Sequence, residues 1–303
     1  MAASEALILG EQALLPTERS LPGRCGHAVL RFARAKPLGA FGAVIIMLMI
    51  VAALSAPAIT PDYQRVHPRE KLQTPSAQHW LGTDQLGRDL YARIVYGARV
   101  SLYVGFAGTF IGVVIGSVIG LVSGYFGGTI DLVLMRVIDA FQAFPGLILA
   151  LAIVAALGPS LTKAFIAISV GLMARPARIV RGSVLAAKET SWVEAARNVG
   201  ASDTRIMFRH ILPNVMAPII VLASLVLGIA ILIEASLSFL GLGVQPPTPA
   251  WGSMLNQAAG GYFETYPHLA IIPGVAISLA VFAFNLFGDA LRDVLDPRLR
   301  GVR

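Results

Sequence analysis

Arg136, Asp139 and Glu234 are ionisable side chains inside long apolar stretches of this chain. Charge within a bilayer is costly, and it is retained where it pairs, lines a wet path or meets a substrate. Arg136 and Asp139 are three residues apart on one helical face, so they can pair. Both fall roughly 12 Å at most from the end of their run, which fits a pair that steadies the helix better than a place in a pathway. Pro145-Gly146 follows and should kink the helix, a feature suited to a moving gate. Glu234 lies about 16 residues, roughly 24 Å, beyond Pro218. There an external gate or substrate contact and a carboxylate satisfied by water, Ser236 or Ser238 remain equal readings. Asn285 and Asp289 approach the end of the last apolar run, where an interfacial polar role is the default.

Other chemistry finds no residues to perform it. The five histidines, His27, His67, His79, His210 and His268, are scattered without ligand spacing such as His-x-x-x-His. The single cysteine, Cys25, permits neither a disulfide framework nor a Cys-based metal site. No Gly-x-x-x-x-Gly-Lys loop is present, and the dipeptide Gly-Lys never occurs. No catalytic residue, metal ligand or resident cofactor is expected in this chain, and any ATP hydrolysis must come from another polypeptide.

The elements that hold these residues are set by composition. The 303 residues are 56% hydrophobic and 14% charged, against about 25% charged in a soluble domain; the mean hydropathy is +0.72. This is an all-α polytopic membrane protein. Six runs are long enough for a spanning helix of about 20 residues: 38–59, 101–124, 132–157, 161–180, 215–240 and 268–291. Ala56-Pro57-Ala58 has the small residues of a signal cleavage site, but the run is longer than an h-region of about 7–15 residues and follows a long polar tail, so it reads as an uncleaved anchor. The net charge of +7 reflects sidedness and does not point to nucleic acid. Both tails and the 175–209 region carry 16 Lys and Arg, the opposite side seven, which places the tails in the cytoplasm.

The chain then divides into a cytoplasmic N-terminal tail (1–37), a first anchor (38–59), an external loop with an interfacial helix (60–100), a five-helix core (101–291) and a cytoplasmic C-terminal tail (292–303). Leu90-Tyr91-Ala92-Arg93-Ile94-Val95-Tyr96 is amphipathic; a helix lying at the interface and a short soluble element serve it about equally. Gly108, Gly112, Gly116, Gly120 and Gly124 recur every four residues on one face of the second span and allow close helix contact. An internal packing seam accounts for them better than a subunit interface.

The core is interrupted by a polar loop, 187–214, on the cytoplasmic side. Ser191 followed by Glu194 has capping-box spacing, so a helix should begin at Trp192. Ala195 and Ala196 favour helix, and Gly200 supplies a left-handed terminator. Ser202 can cap a second helix that Pro213 should end. The expected product is a compact knob with a small-residue surface at Ala195, Ala196 and Gly200, to which another backbone can come close.

Glu194-Ala195-Ala196, then Gly200, then Ile211-Leu212-Pro213 resembles the EAA loop of ABC importer permeases. His210, where that pattern has isoleucine, and Arg209-His210-Ile211-Leu212-Pro213-Asn214 are similar to the peptide-transport branch. His79-Trp80-Leu81-Gly82-Thr83-Asp84, Gly87-Arg88-Asp89 and Gly97-Ala98-Arg99-Val100-Ser101-Leu102 resemble the segment before the second span of dipeptide/oligopeptide permeases. Ala235-Ser236-Leu237-Ser238-Phe239-Leu240-Gly241-Leu242-Gly243 with Pro246-Pro247-Thr248-Pro249-Ala250-Trp251-Gly252, and Asn285-Leu286-Phe287-Gly288-Asp289 with Leu295-Asp296-Pro297-Arg298, resemble their last external loop and C-terminus. The resemblance implies the type I permease fold, in the second of two permease subunits of the DppC/OppC kind in the bacterial inner membrane. It also implies two cytoplasmic ATPase subunits that bind ATP and Mg, a second homologous permease, and an external substrate-binding protein. The ATPase-coupling residues would be Glu194, Ala195, Ala196, Arg197, Gly200, Ala201, Ser202 and Asp203. Cargo is read as di- or oligopeptides, with glutathione and then nickel as alternatives. An ion-coupled secondary transporter would need ionisable pairs near the midplane and an inverted repeat; a membrane enzyme would need converging catalytic groups. Neither accounts for the loop.

Overall fold

The computed structural model describes residues 30–295. Cys25, most of the N-terminal tail and residues 296–303 of the C-terminal tail lie outside them. Helix α1 (Pro37–Ile59) opens on a proline, a residue whose fixed φ suits a first helical turn. Helix α2 (Leu90–Phe126) follows Asp89, whose side chain accepts the Ala92 N–H. The amphipathic stretch 90–96 is thus the first part of one continuous helix and leads straight into the second span. Then come α3 (Gly128–Gln142), α4 (Gly146–Leu157), α5 (Leu161–Leu172), α6 (Ala174–Lys188), α7 (Ser191–Asn198), α8 (Asp203–Phe239), α9 (Trp251–Ala259) and α10 (His268–Leu295).

Four of these, α1, α2, α8 and α10, are long and apolar enough to cross a membrane, and α3 with α4 makes a fifth if the pair is one span. That pair is bent by 88° at a break containing Pro145, whose missing N–H and ring end α3's ladder. The sequence anticipates a kink; the structure has a corner. The run at 161–180 is shared between α5 and α6, which part at Met173. Pro176 explains the division, because it has no N–H to offer the Leu172 carbonyl. Where the sequence leads to six spans, the described residues hold four long apolar helices, or five if α3 and α4 make one span.

Packing between helices rests on small residues. A Cβ placed on Gly116 would stand 2.2 Å from the Met173 carbonyl oxygen, and one on Gly120 2.3 Å from that of Ala177. The same line continues from Gly112, against Ser169 and Leu172, to Gly124, against Arg181 and Val184. The four-residue glycine spacing is an internal seam for α5 and α6. Helix α10 packs between α1 and α8: Gly42 meets Ala283 and Phe287, and Gly288 meets Ser224 and Leu225. Lys36 and Asp293, 2.6 Å apart, tie the start of α1 to the end of α10.

Residues 60–89 form no regular helix, yet they are folded around buried polar groups. Asp84 accepts from the Leu86 and Arg88 N–H groups at 2.8 and 2.9 Å and from Arg88 Nε at 2.7 Å. His79 Nδ1 lies 2.8 Å from Asp89. This network fixes the segment on top of α2.

Candidate functional site

Helix α7 has two faces. Val193 and Ala196, one turn apart, are buried at 0% and 8% exposure among Leu121, Val184, Ile206, Met207 and Ile211. Trp192, Glu194, Ala195, Arg197 and Asn198 face outward. The helix ends on a Schellman turn. The Ala201 N–H reaches back to the Ala196 carbonyl at 3.1 Å and the Gly200 N–H to that of Arg197 at 2.9 Å. Gly200 has φ +78°, the left-handed conformation that its position implies.

The start of the helix departs from the expectation. It begins at Ser191, Thr190 occupies the N-cap, and no side chain caps it; Thr190 Oγ1 instead donates to the Ala187 carbonyl. The Ser191–Glu194 capping box does not form, because the turn after α6 closes one residue earlier and places Ser191 inside the helix. Glu194 is left free to face outward. The second departure is at Pro213. Ser202 stands at the N-cap of the next helix, although its side chain makes no cap bond. That helix does not stop at the proline: it passes through a π-turn at Ile206–Ile211 and continues as α8 to Phe239. The Leu212 N–H donates five residues back to Met207, and this widened turn is where the helix absorbs the proline. The knob is thus one short helix and the protruding root of a span.

Tyr125, in the last turn of α2, holds both sides of the loop. Its hydroxyl donates to Asp203 at 2.6 Å, and the Arg197 guanidinium lies 5.5 Å from its ring centroid, within the range of a cation–π contact. Beside it, Arg181 reaches Asp131 through two bonds of 2.6 and 2.5 Å, and Ser123 donates to the same carboxylate. The carboxylate partner raises the Arg181 guanidinium above its ordinary pKa. Tyr125, Asp131 and Arg181 escape sequence reasoning because no local spacing marks them. The one available signal for Tyr125 is a phenol in the last turn of a span facing the loop.

Pathway candidates do not converge. Asp139 pairs with Arg178 of α6 at 2.5 Å, both about half exposed, and not with Arg136; the partner comes from a different helix and not from the neighbour on its own face. Glu234 is 1% exposed. Its carboxylate accepts from Ser101 of α2 at 2.8 Å and from Ser238 at 2.7 Å, while Ser236 turns to the Leu232 carbonyl. Of the alternatives left by sequence, this arrangement is the serine-satisfied carboxylate, and it joins α2 to α8. Asn285 is exposed on α10 with its side chain set against Gly228 of α8.

A family model described as binding-protein-dependent transport system inner membrane component matches residues 116–301. The chain is 45% identical over 277 residues, 91% of each chain, to the glutathione transport system permease protein GsiD of Escherichia coli O6:K15:H31 (strain 536 / UPEC). The protein of the same name from Shigella boydii serotype 4 (strain Sb227) shows the same identity and coverage. Among solved structures it is similar to an inward-facing methionine ABC transporter, MetNI, with a TM-score of 0.56 and 21% identity over 68% of this chain and 98% of that one. An amino acid ABC transporter with histidines gives 0.51 and 20% over 70% and 95%. These likenesses establish the permease fold.

Proposed function

This chain belongs to the family of binding-protein-dependent transport system inner membrane components; it is a permease subunit of an ABC importer, and we propose that its cargo is short peptides, with the tripeptide glutathione foremost. The observation that carries the cargo is the 45% identity over 91% of the chain to permeases named for glutathione transport, which moves glutathione ahead of the di- and oligopeptides favoured by the motifs alone. The subunit performs no reaction on its cargo. Cells lacking their own glutathione and dipeptide importers, and given this chain with its partner subunits, should accumulate labelled glutathione, and omission of this chain should abolish uptake. Uptake of dipeptides or nickel with none of glutathione refutes the assignment.

The outward face of α7, with Glu194, Ala195, Arg197, Gly200 and Ser202, is the docking surface for a cytoplasmic ATPase. Support comes from its geometry: the inward face is saturated by packing, and Tyr125 ties the loop to α2, so a push on α7 reaches α2, α6 and α8 together. ATP and Mg would sit on the ATPase chains, with a second permease subunit and an external binding protein completing the importer. This requires residues 60–89 outside and the 187–214 loop inside, as the distribution of Lys and Arg indicates. In a Cys25→Ala background, a membrane-impermeant thiol reagent applied outside should label Gln73→Cys and spare Ser202→Cys; the reverse pattern inverts the topology.

A further inference from the structure

A groove of about 600 Å³ runs between α1 and α2. Ile50 and Leu54 form one wall, and Leu102, Phe106 and Phe110 the other. It is open: Leu54 is 73% and Phe110 70% exposed. One charged side chain, Arg99, belongs to its lining, and it stands at the end nearest residues 60–89. Arg99 is exposed and has no carboxylate partner among the described residues. Its guanidinium lies 5.8 Å from the Tyr96 ring centroid, and Tyr96 is itself stacked 4.3 Å from Tyr63. From Arg99 to Phe110 the groove extends along α2 for roughly 16 Å at 1.5 Å per residue. Arg99 lies two residues before Ser101, where the apolar run begins, which puts it at headgroup level, where aromatic rings also collect.

We propose that this groove binds one anionic phospholipid, with its phosphate on Arg99 and an acyl chain along Leu102, Phe106 and Phe110. The charge pattern selects this occupant. An arginine at one end and, apart from Tyr103, apolar side chains along the remainder match a molecule with a phosphate at one end and hydrocarbon chains beyond its glycerol esters, as basic pockets between spanning helices match lipid headgroups. An extended polypeptide would bring a row of N–H and C=O groups into a trough whose polar side chains are Arg99 and Tyr103 alone. A packed protein surface would bury Arg99 and would need to supply its counter-charge.

The test uses the purified full chain equilibrated in detergent with equal amounts of phosphatidylglycerol and phosphatidylethanolamine, with retained lipid read by native mass spectrometry. Phosphatidylglycerol should be retained in preference, by about tenfold, equivalent to ~1.4 kcal/mol. Arg99→Gln should abolish the preference, lowering phosphatidylglycerol retention more than that of phosphatidylethanolamine, whose own ammonium already offsets its phosphate, and Ala107→Phe, which fills the groove, should lower retention of both. Equal retention of the two lipids by the unaltered chain, or a preference that survives Arg99→Gln, overturns the proposal. So does efficient cross-linking of Phe106→Cys to a second polypeptide in the assembled importer, which would make the groove a protein interface.

Discussion

Gly120→Val should eliminate the folded permease. The Cβ would meet the Ala177 carbonyl oxygen at 2.3 Å, the Arg181 N at 2.9 Å and the Val180 Cβ at 3.0 Å. Two of these three atoms are backbone, so no rotamer change relieves the clash, and α2 and α6 must part. Overpacking costs about 1–3 kcal/mol where side chains can yield; here separation also opens the contacts at Gly116 and Gly124 and pulls Arg181 from Asp131. The loss should exceed that range and approach the whole stability of a marginal fold, about 5–15 kcal/mol. Solubilised Gly120→Val should elute as aggregate in size-exclusion chromatography. Gly182→Ala, on α6 where an added Cβ meets nothing within 4 Å, should elute as the unaltered chain and gain helix propensity. Equal behaviour of the two variants would mean that α2 and α6 do not pack along the glycines.

The same glycines show how far sequence reaches. Their spacing is local, so it declares a close-packed face on α2; the partner, α5 and α6, is set by tertiary arrangement and could not be read. Run length likewise defines α1, α2, α8 and α10, because apolar length is a property of the segment alone. The division of 161–180 at Met173 was signalled by Pro176, but the apolar run outweighed it. At Pro213 the error had the opposite sign: a proline read as a stop is carried through by a π-turn, an outcome that depends on Ile206, Met207 and Ile211 being buried under α7. Gly200 behaves as read because its requirement is backbone geometry. The Ser238 partner of Glu234, four residues on, is local and also behaves as read; Arg178 for Asp139 and Ser101 for Glu234 do not, since they are 39 and 133 residues away in sequence.

Ala195→Arg should uncouple the importer without unfolding it. Ala195 is exposed on α7, and arginine is nearly as good a helix former as alanine, so the chain should keep its melting temperature. The loop's outer surface would gain a long charged side chain where the proposed ATPase contact has a small residue. Loss of ATPase binding by at least about tenfold, ~1.4 kcal/mol, should appear in co-purification, and transport should fall with it. Val193→Asp is the contrast. Val193 is fully buried between α7 and the roots of α2, α6 and α8, and an unpaired carboxylate there costs several kcal/mol. That variant should lose the loop's fold, its protease resistance and ATPase binding together. If Ala195→Arg still co-purifies with the ATPase and transports normally, the outward face of α7 is not the coupling surface, whatever becomes of Val193→Asp. If binding fails in both variants and stability fails only in the second, docking depends on the outward face itself, and the inward face serves to hold it against α2.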